Sequence, residues 1–124
     1  MPTALAVAFA GALGALARWG LDSYLDRRSG DFPWGIFAVN VSGAFLLGVA
    51  VELMRGSLET ATWFRTGITV GLLGAYTTFS TLSLDSYRLL EEGEIGFALL
   101  NTVGTLAAGL LAIWLGILAG DALS

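Results

Sequence analysis

Charged side chains occur in only a few places along this chain, and the gaps between them dictate what it can become. Residues 1–17, 32–51, 66–84 and 95–120 contain no Asp, Glu or Arg. A helix needs about 20 mostly apolar residues to cross a hydrocarbon core roughly 30 Å thick. The last three stretches reach that length, and the first does so if Arg18 snorkels or meets a buried partner. Open β structure cannot sit in lipid, and these stretches lack the alternation of membrane-barrel strands. Four transmembrane helices are expected. A chain of 124 residues that is 56% hydrophobic and only 13% charged could not clothe a water-soluble domain.

Several chemistries are missing. There is no cysteine, no histidine and no lysine, since all 6 basic residues are arginines. Thiolate and Schiff-base chemistry are therefore absent, along with the commonest general base and metal ligand. No nucleophile–base set or metal cluster is visible, and an enzyme is not expected. The net charge of −4 argues against nucleic acid, which is bound through clustered basic residues. Ala15-Leu16-Ala17 resembles a signal-peptidase site, but no basic residue precedes the apolar run. A retained first helix is expected.

Arginines collect on the cytoplasmic side of membrane proteins. With four spans, Arg55 and Arg65 fall on one side, and Arg27, Arg28 and Arg88 on the other with Arg18 nearby. The imbalance is slight. The chain either has a fixed orientation that charge does not reveal, or inserts both ways and forms an antiparallel dimer.

Small residues recur at helical spacing: Gly11, Gly14, Ala15 and Arg18; Asn40, Gly43, Ala44 and Leu47; Gly67, Gly71 and Gly74; Asn101, Gly104, Thr105 and Ala108. Such faces let membrane helices approach closely. Four short helices also make a poor wall around any pathway, so a homo-oligomer, most simply a two-fold dimer, is the economical expectation.

The third span is the most informative. Gly71 and Gly74 precede Thr77, Thr78, Ser80, Thr81 and Ser83, five hydroxyls within seven positions at membrane depth. Glycine weakens a helix by about 1 kcal/mol, so an interruption is expected here. A break in the bilayer must be buried in protein or line a polar cavity, and its freed carbonyls suit a hard cation such as Na⁺. The hydroxyls either offer a face of neutral donors or bond back to their own i−4 carbonyls. Asn40 and Asn101 lie within spans and must find partners. Asn40 is read equally as a structural amide or as a donor facing a pathway, and Asn101 as an interhelical hydrogen bond.

Three blocks in order, Gly11-x-x-Gly14-Ala15-x-x-Arg18, Asn40 to Gly48, and Gly74-Ala75-Tyr76-Thr77-Thr78-Phe79-Ser80-Thr81, resemble the Fluc (CrcB) fluoride channels. The resemblance covers essentially the whole chain. It implies one all-α integral membrane domain over residues 1–124, with a broken third helix. It also implies a dual-topology antiparallel dimer with two pores, giving passive fluoride efflux across a prokaryotic plasma membrane. Asn40 matches the family's pore asparagine and Phe79 the first of its two pore phenylalanines. Ser80 and Thr81 match the polar track beside them. Gly74 and Thr77 match positions whose backbone carbonyls hold a central structural Na⁺. Arg18 matches the first helix's arginine, its role open between packing and vestibule electrostatics. Fluoride, membrane lipids and a second copy of the chain are the partners implied.

One position departs: the second pore phenylalanine falls at Leu82. Leucine fills space without offering a polarised ring edge. Either it is accepted in a working homodimer, or a paralogous chain supplies the better pore. The rival to a channel is a small dual-topology multidrug or cation exporter. Such a carrier needs a membrane-embedded carboxylate, whereas Glu52 and Asp85 lie at the ends of spans.

Overall fold

A computed structural model of the protein describes residues 1–26, 31–57 and 59–124. Arg27 and Arg28, two of the arginines that bear on orientation, lie outside the described residues. Four helices are long and apolar enough to cross a membrane: α1 (Thr3–Asp26), α2 (Trp34–Arg55), α3 (Thr62–Glu91) and α4 (Ile95–Leu123). Even the 22-residue α2 is about 33 Å long at the usual helical rise. No strand occurs among the described residues. The chain is a multi-pass, all-helical membrane protein.

Helix α3 is broken, as expected, but not at its glycines. It runs as α-helix over Thr62–Thr66, as the wider π-helix over Gly67–Leu73, and as α-helix again over Gly74–Tyr76. Thr77 (φ −86°, ψ 155°) and Thr78 (φ −149°, ψ 126°) are extended, and the helix restarts over Phe79–Glu91. Extended backbone suits β-branched threonine. The glycines upstream serve packing instead. A Cβ on Gly71 would stand 2.9 Å from the Val7 carbonyl oxygen and 3.1 Å from Ala10 Cβ, both on α1.

That packing sets the bundle. Helix α1 lies along the first half of α3, and α2 lies along α4. In the first pair Gly14 faces the Leu72 carbonyl with no room for a side chain. In the second, Gly48 meets the Ile113 carbonyl and Gly116 meets the Phe45 carbonyl just as closely. Small-residue faces are the sequence's argument for a second subunit, yet these are closed within one chain. Dispersion between backbones at such short range replaces the hydrophobic drive that lipid cannot supply.

The ends are pinned by ordinary capping. Gly93 (φ 78°) terminates α3, with Gly93 N–H donating to the Leu90 carbonyl at 3.1 Å and Glu94 N–H to that of Leu89 at 2.8 Å. Arg65 donates to the carbonyls of Met54 and Ser57, both at 3.1 Å, tying the end of α2 to the start of α3. Before α2, buried Phe32 packs against Trp34, Phe37 and Phe97 with ring centroids 4.5, 5.9 and 5.8 Å apart.

Candidate functional site

The break in α3 is held from both sides. From α2, the Asn40 side chain pairs with the backbone of Thr78 like a neighbouring strand. Its Nδ2 donates to the Thr78 carbonyl at 3.1 Å, and its Oδ1 accepts from the Thr78 N–H at 2.8 Å. Two residues on, Ser42 Oγ lies 2.9 Å from Tyr76 Oη. Gly43 leaves space that the Thr77 methyl and the Tyr76 ring fill. The segment Asn40 to Gly43 thus grips Tyr76, Thr77 and Thr78 in turn. From α1, Arg18 Nε donates to the Ala75 carbonyl at 3.1 Å. A cation beside the last carbonyls of a helix also opposes the negative end of its dipole.

Asn40 therefore has the structural role, and one of its two Nδ2 protons remains beyond the bond to Thr78. The two readings of Asn40 are compatible. Arg18 fixes the end of the first half of α3, which accounts for a cation at the end of the charge-free stretch of α1.

The hydroxyl cluster divides. Thr77 Oγ1 bonds back to the Leu73 carbonyl at 3.0 Å and Ser83 Oγ to that of Phe79 at 2.9 Å. Thr78 Oγ1 caps the restarting helix by accepting from the Thr81 N–H at 3.4 Å, and it lies 3.2 Å from Ser80 Oγ. Few of these hydroxyls face outward as free donors, because the break itself needs them.

Three carbonyls of the break are accounted for: Leu73 accepts from Thr77, Ala75 from Arg18 and Thr78 from Asn40. Among the described residues no hydrogen bond reaches the carbonyls of Gly74 or Thr77. Asn40 takes the Thr78 N–H that a continuous helix would have given to Gly74. Two neutral oxygens left this way are chemically apt ligands for a hard monovalent cation.

Beside the break a groove of about 570 Å³ opens between α2, α3 and α4. Asn40, Gly43, Ala44 and Leu47, which share a face by sequence spacing, all line it. Gly74, Thr77, Phe79 and Leu82 line it from α3, and Thr102, Thr105 and Leu106 from α4. Among the described residues, no charged side chain lines it. Phe79 is 82% exposed, a large ring displayed by the first turn after the break. Ser80 and Thr81 do not line the groove of the single chain.

On the α4 side, Asn101 is fully buried and donates from Nδ2 to Ser86 Oγ at 3.0 Å and to the Leu82 carbonyl at 3.4 Å. It joins α4 to the second half of α3, as expected for an interhelical amide.

Across the chain, residues 5–117 match the model of a family described as CrcB-like protein, Camphor Resistance (CrcB). The chain belongs to the CrcB-like family. Among its relatives is a protein of Acidobacterium capsulatum, 42% identical over 116 residues, which are 93% of each chain. One from Geobacter sulfurreducens is 43% identical over 120 residues, 96% of this chain and 97% of the relative. Another, from Geotalea uraniireducens, is 42% identical over 124 residues, 99% of this chain and the whole of the relative. Each of these three CrcB-like relatives is named a fluoride-specific ion channel FluC.

Of the residues singled out in this CrcB-like sequence, the fold brings Asn40, Gly74, Thr77, Phe79 and Leu82 onto one groove. Arg18 stands apart at Ala75, and Ser80 folds toward Thr78. Sequence reasoning passed over Ser42 with Tyr76, and Ser86 with Asn101. Those pairs join residues 34 and 15 positions apart, and only packing reveals them. The capping role of Thr78 did have a local signal, since a threonine is a favoured N-cap residue.

Proposed function

We propose that this chain is a fluoride-selective channel that lets F⁻ leave a prokaryotic cell passively, working as an antiparallel two-fold dimer with two pores. The observation that carries the reading is the clamped break. Asn40 and Thr78 hold α3 open beside an uncharged groove, with Phe79 displayed at its edge, in a chain whose relatives are named for fluoride.

Fluoride enters cells as neutral HF, dissociates in the less acidic cytoplasm, and leaves down its gradient as the anion. The path out must replace water around F⁻ without trapping it. The second Nδ2 proton of Asn40 is a neutral donor suited to that task. A phenylalanine ring is positive at its edge, so Phe79 would meet the anion edge-on. Ser80 and Thr81 would continue the polar track on the far side of Phe79, and Leu82 would fill the second aromatic position with apolar bulk. An arginine at the constriction would bind too tightly, and Arg18 is instead engaged at Ala75.

The dimer is supported by the open edge of the groove, where Phe79 stands exposed, and by the near-balanced arginines. Head-to-tail pairing would bring two breaks together. The carbonyls of Gly74 and Thr77 from both copies would then hold a structural Na⁺, which would neutralise the inward-facing oxygens and fix the interface. A heterodimer with a paralogous chain is the variant that Leu82 keeps in view.

Purified protein in liposomes is expected to release fluoride and retain chloride, without dependence on a proton gradient. Well-folded protein that moves neither anion would remove the channel reading, and proton-dependent transport would favour a small exporter in its place.

A further inference from the structure

Ser42 and Tyr76 meet across the break in α3 with their hydroxyl oxygens 2.9 Å apart. Ser42 Oγ also donates to the Val39 carbonyl at 3.2 Å. A serine hydroxyl has one proton, so the phenol supplies the proton of the shared bond. Tyr76 donates to Ser42, and Ser42 donates to Val39. Neither Ser42 nor Tyr76 lines the groove, so neither meets an ion moving along it.

The place of the pair in the chain gives it a task. Tyr76 closes the first half of α3, and the peptide that joins it to Thr77 is still helical, its N–H donating to the Leu73 carbonyl at 3.1 Å. The next peptide, between Thr77 and Thr78, turns its N–H to Asn40 Oδ1 at 2.8 Å. Every peptide here is trans, and in a planar trans peptide the carbonyl points opposite to the N–H. The Thr77 carbonyl is therefore directed away from Asn40. Only the φ and ψ of Thr77, −86° and 155°, separate the two peptides. Both are anchored to α2, one through Asn40 and the other through the Tyr76 side chain, whose ring seats over Gly43 beside the Thr77 methyl. Release of either anchor lets the Thr77 carbonyl swing.

We propose that Tyr76 and Ser42 are positioning residues for the cation site. Their hydrogen bond holds the end of the first half of α3 against α2, and so keeps the Thr77 carbonyl in the direction in which it is left free. The inference rests on the Na⁺ reading above and adds to it two side chains that touch neither ion. Asn40 steadies the same carbonyl from the other side, but it also lines the groove. Tyr76 and Ser42 do the first of these tasks without the second.

Tyr76→Phe keeps the ring over Gly43 and removes only the hydroxyl. Melting temperatures of the purified protein are read in fluoride-free buffer as NaCl replaces N-methylglucamine chloride at constant ionic strength. A ligand held by the folded state alone raises the melting temperature as its concentration grows. The wild type is expected to rise with Na⁺, and Tyr76→Phe to need several-fold more Na⁺ for half of the rise. Ser42→Ala should move that concentration in the same direction, and the double variant no further than Ser42→Ala alone. A bond that merely stabilised the fold would lower every melting temperature equally and leave the Na⁺ requirement where it was; that result in both single variants overturns the proposal. Shifts that add in the double variant overturn the pairing. A wild type indifferent to Na⁺ also overturns it, and fluoride release from liposomes then reports separately on the channel reading.

Discussion

The two halves of α3 share one span and are held by different forces. Thr62 to Tyr76 is packed on α1 through Gly67 and Gly71, so closely that backbone touches backbone. Phe79–Glu91 is tied instead by polar contacts, with Asn40 gripping Thr78 just before it and Asn101 holding Leu82 and Ser86. At Gly71 the first half has no room for a side chain. The other displays Phe79 at 82% exposure, just after a Thr77 carbonyl that no hydrogen bond reaches. Dispersion at short range holds a helix rigidly but offers nothing to an ion. Directional hydrogen bonds hold a broken helix while leaving selected groups available.

If that contrast is right, the largest effect on folding belongs to the packed half. Gly14→Leu should destabilise the protein by about 3 kcal/mol or more, because the new side chain overlaps the Leu72 carbonyl. Loss of monodisperse protein in size-exclusion chromatography would register it, and a well-behaved variant would show that the α1 seam can yield. Asn40→Asp should reduce fluoride flux by about tenfold with the fold retained, since it replaces the donor facing the Thr78 carbonyl by an acceptor worth about 2 kcal/mol in the wrong direction. Flux at the wild-type level in liposomes would make Asn40 dispensable to conduction.

Leu82→Phe is expected to raise fluoride flux a few-fold by restoring a second ring edge, with Phe79→Leu changing it in the opposite sense. Equal flux in both variants would separate the aromatic edge from the transport path. Arg18→Met should lower stability by about 1 kcal/mol through loss of the bond to Ala75 while leaving anion selectivity unchanged. A thermal melt and a fluoride-to-chloride flux ratio check the two parts. Smallest of all, Arg55→Ala removes an exposed contact to Glu52 at 3.4 Å and should leave the melting temperature unaltered.

Much of this was legible before any coordinates. Charge-free stretches announced four spans, and each overlaps one of α1 to α4. The hydroxyl cluster after Gly74 announced the break, though not its position. Asn40 stood out as a polar residue in lipid whose partner could not be named. The partner is the Thr78 backbone, and no side-chain pattern reports which peptide group a break will leave unpaired. The π-helical turns were likewise invisible, since Gly67 and Gly71 reveal a close approach but not the widening that accommodates it.

What the residues settled alone is the solvent. With so few charges and such long apolar runs, lipid was the only medium in which this chain could bury its surface, and helices the only backbone lipid accepts. What required the third dimension is which polar atoms stay free. Asn40, Ser42 and Arg18 are assigned to Thr78, Tyr76 and Ala75 by packing across three helices, and the carbonyls of Gly74 and Thr77 are left over as a result. Hydrogen-bond partners are chosen by distance and direction in space, and linear order carries neither.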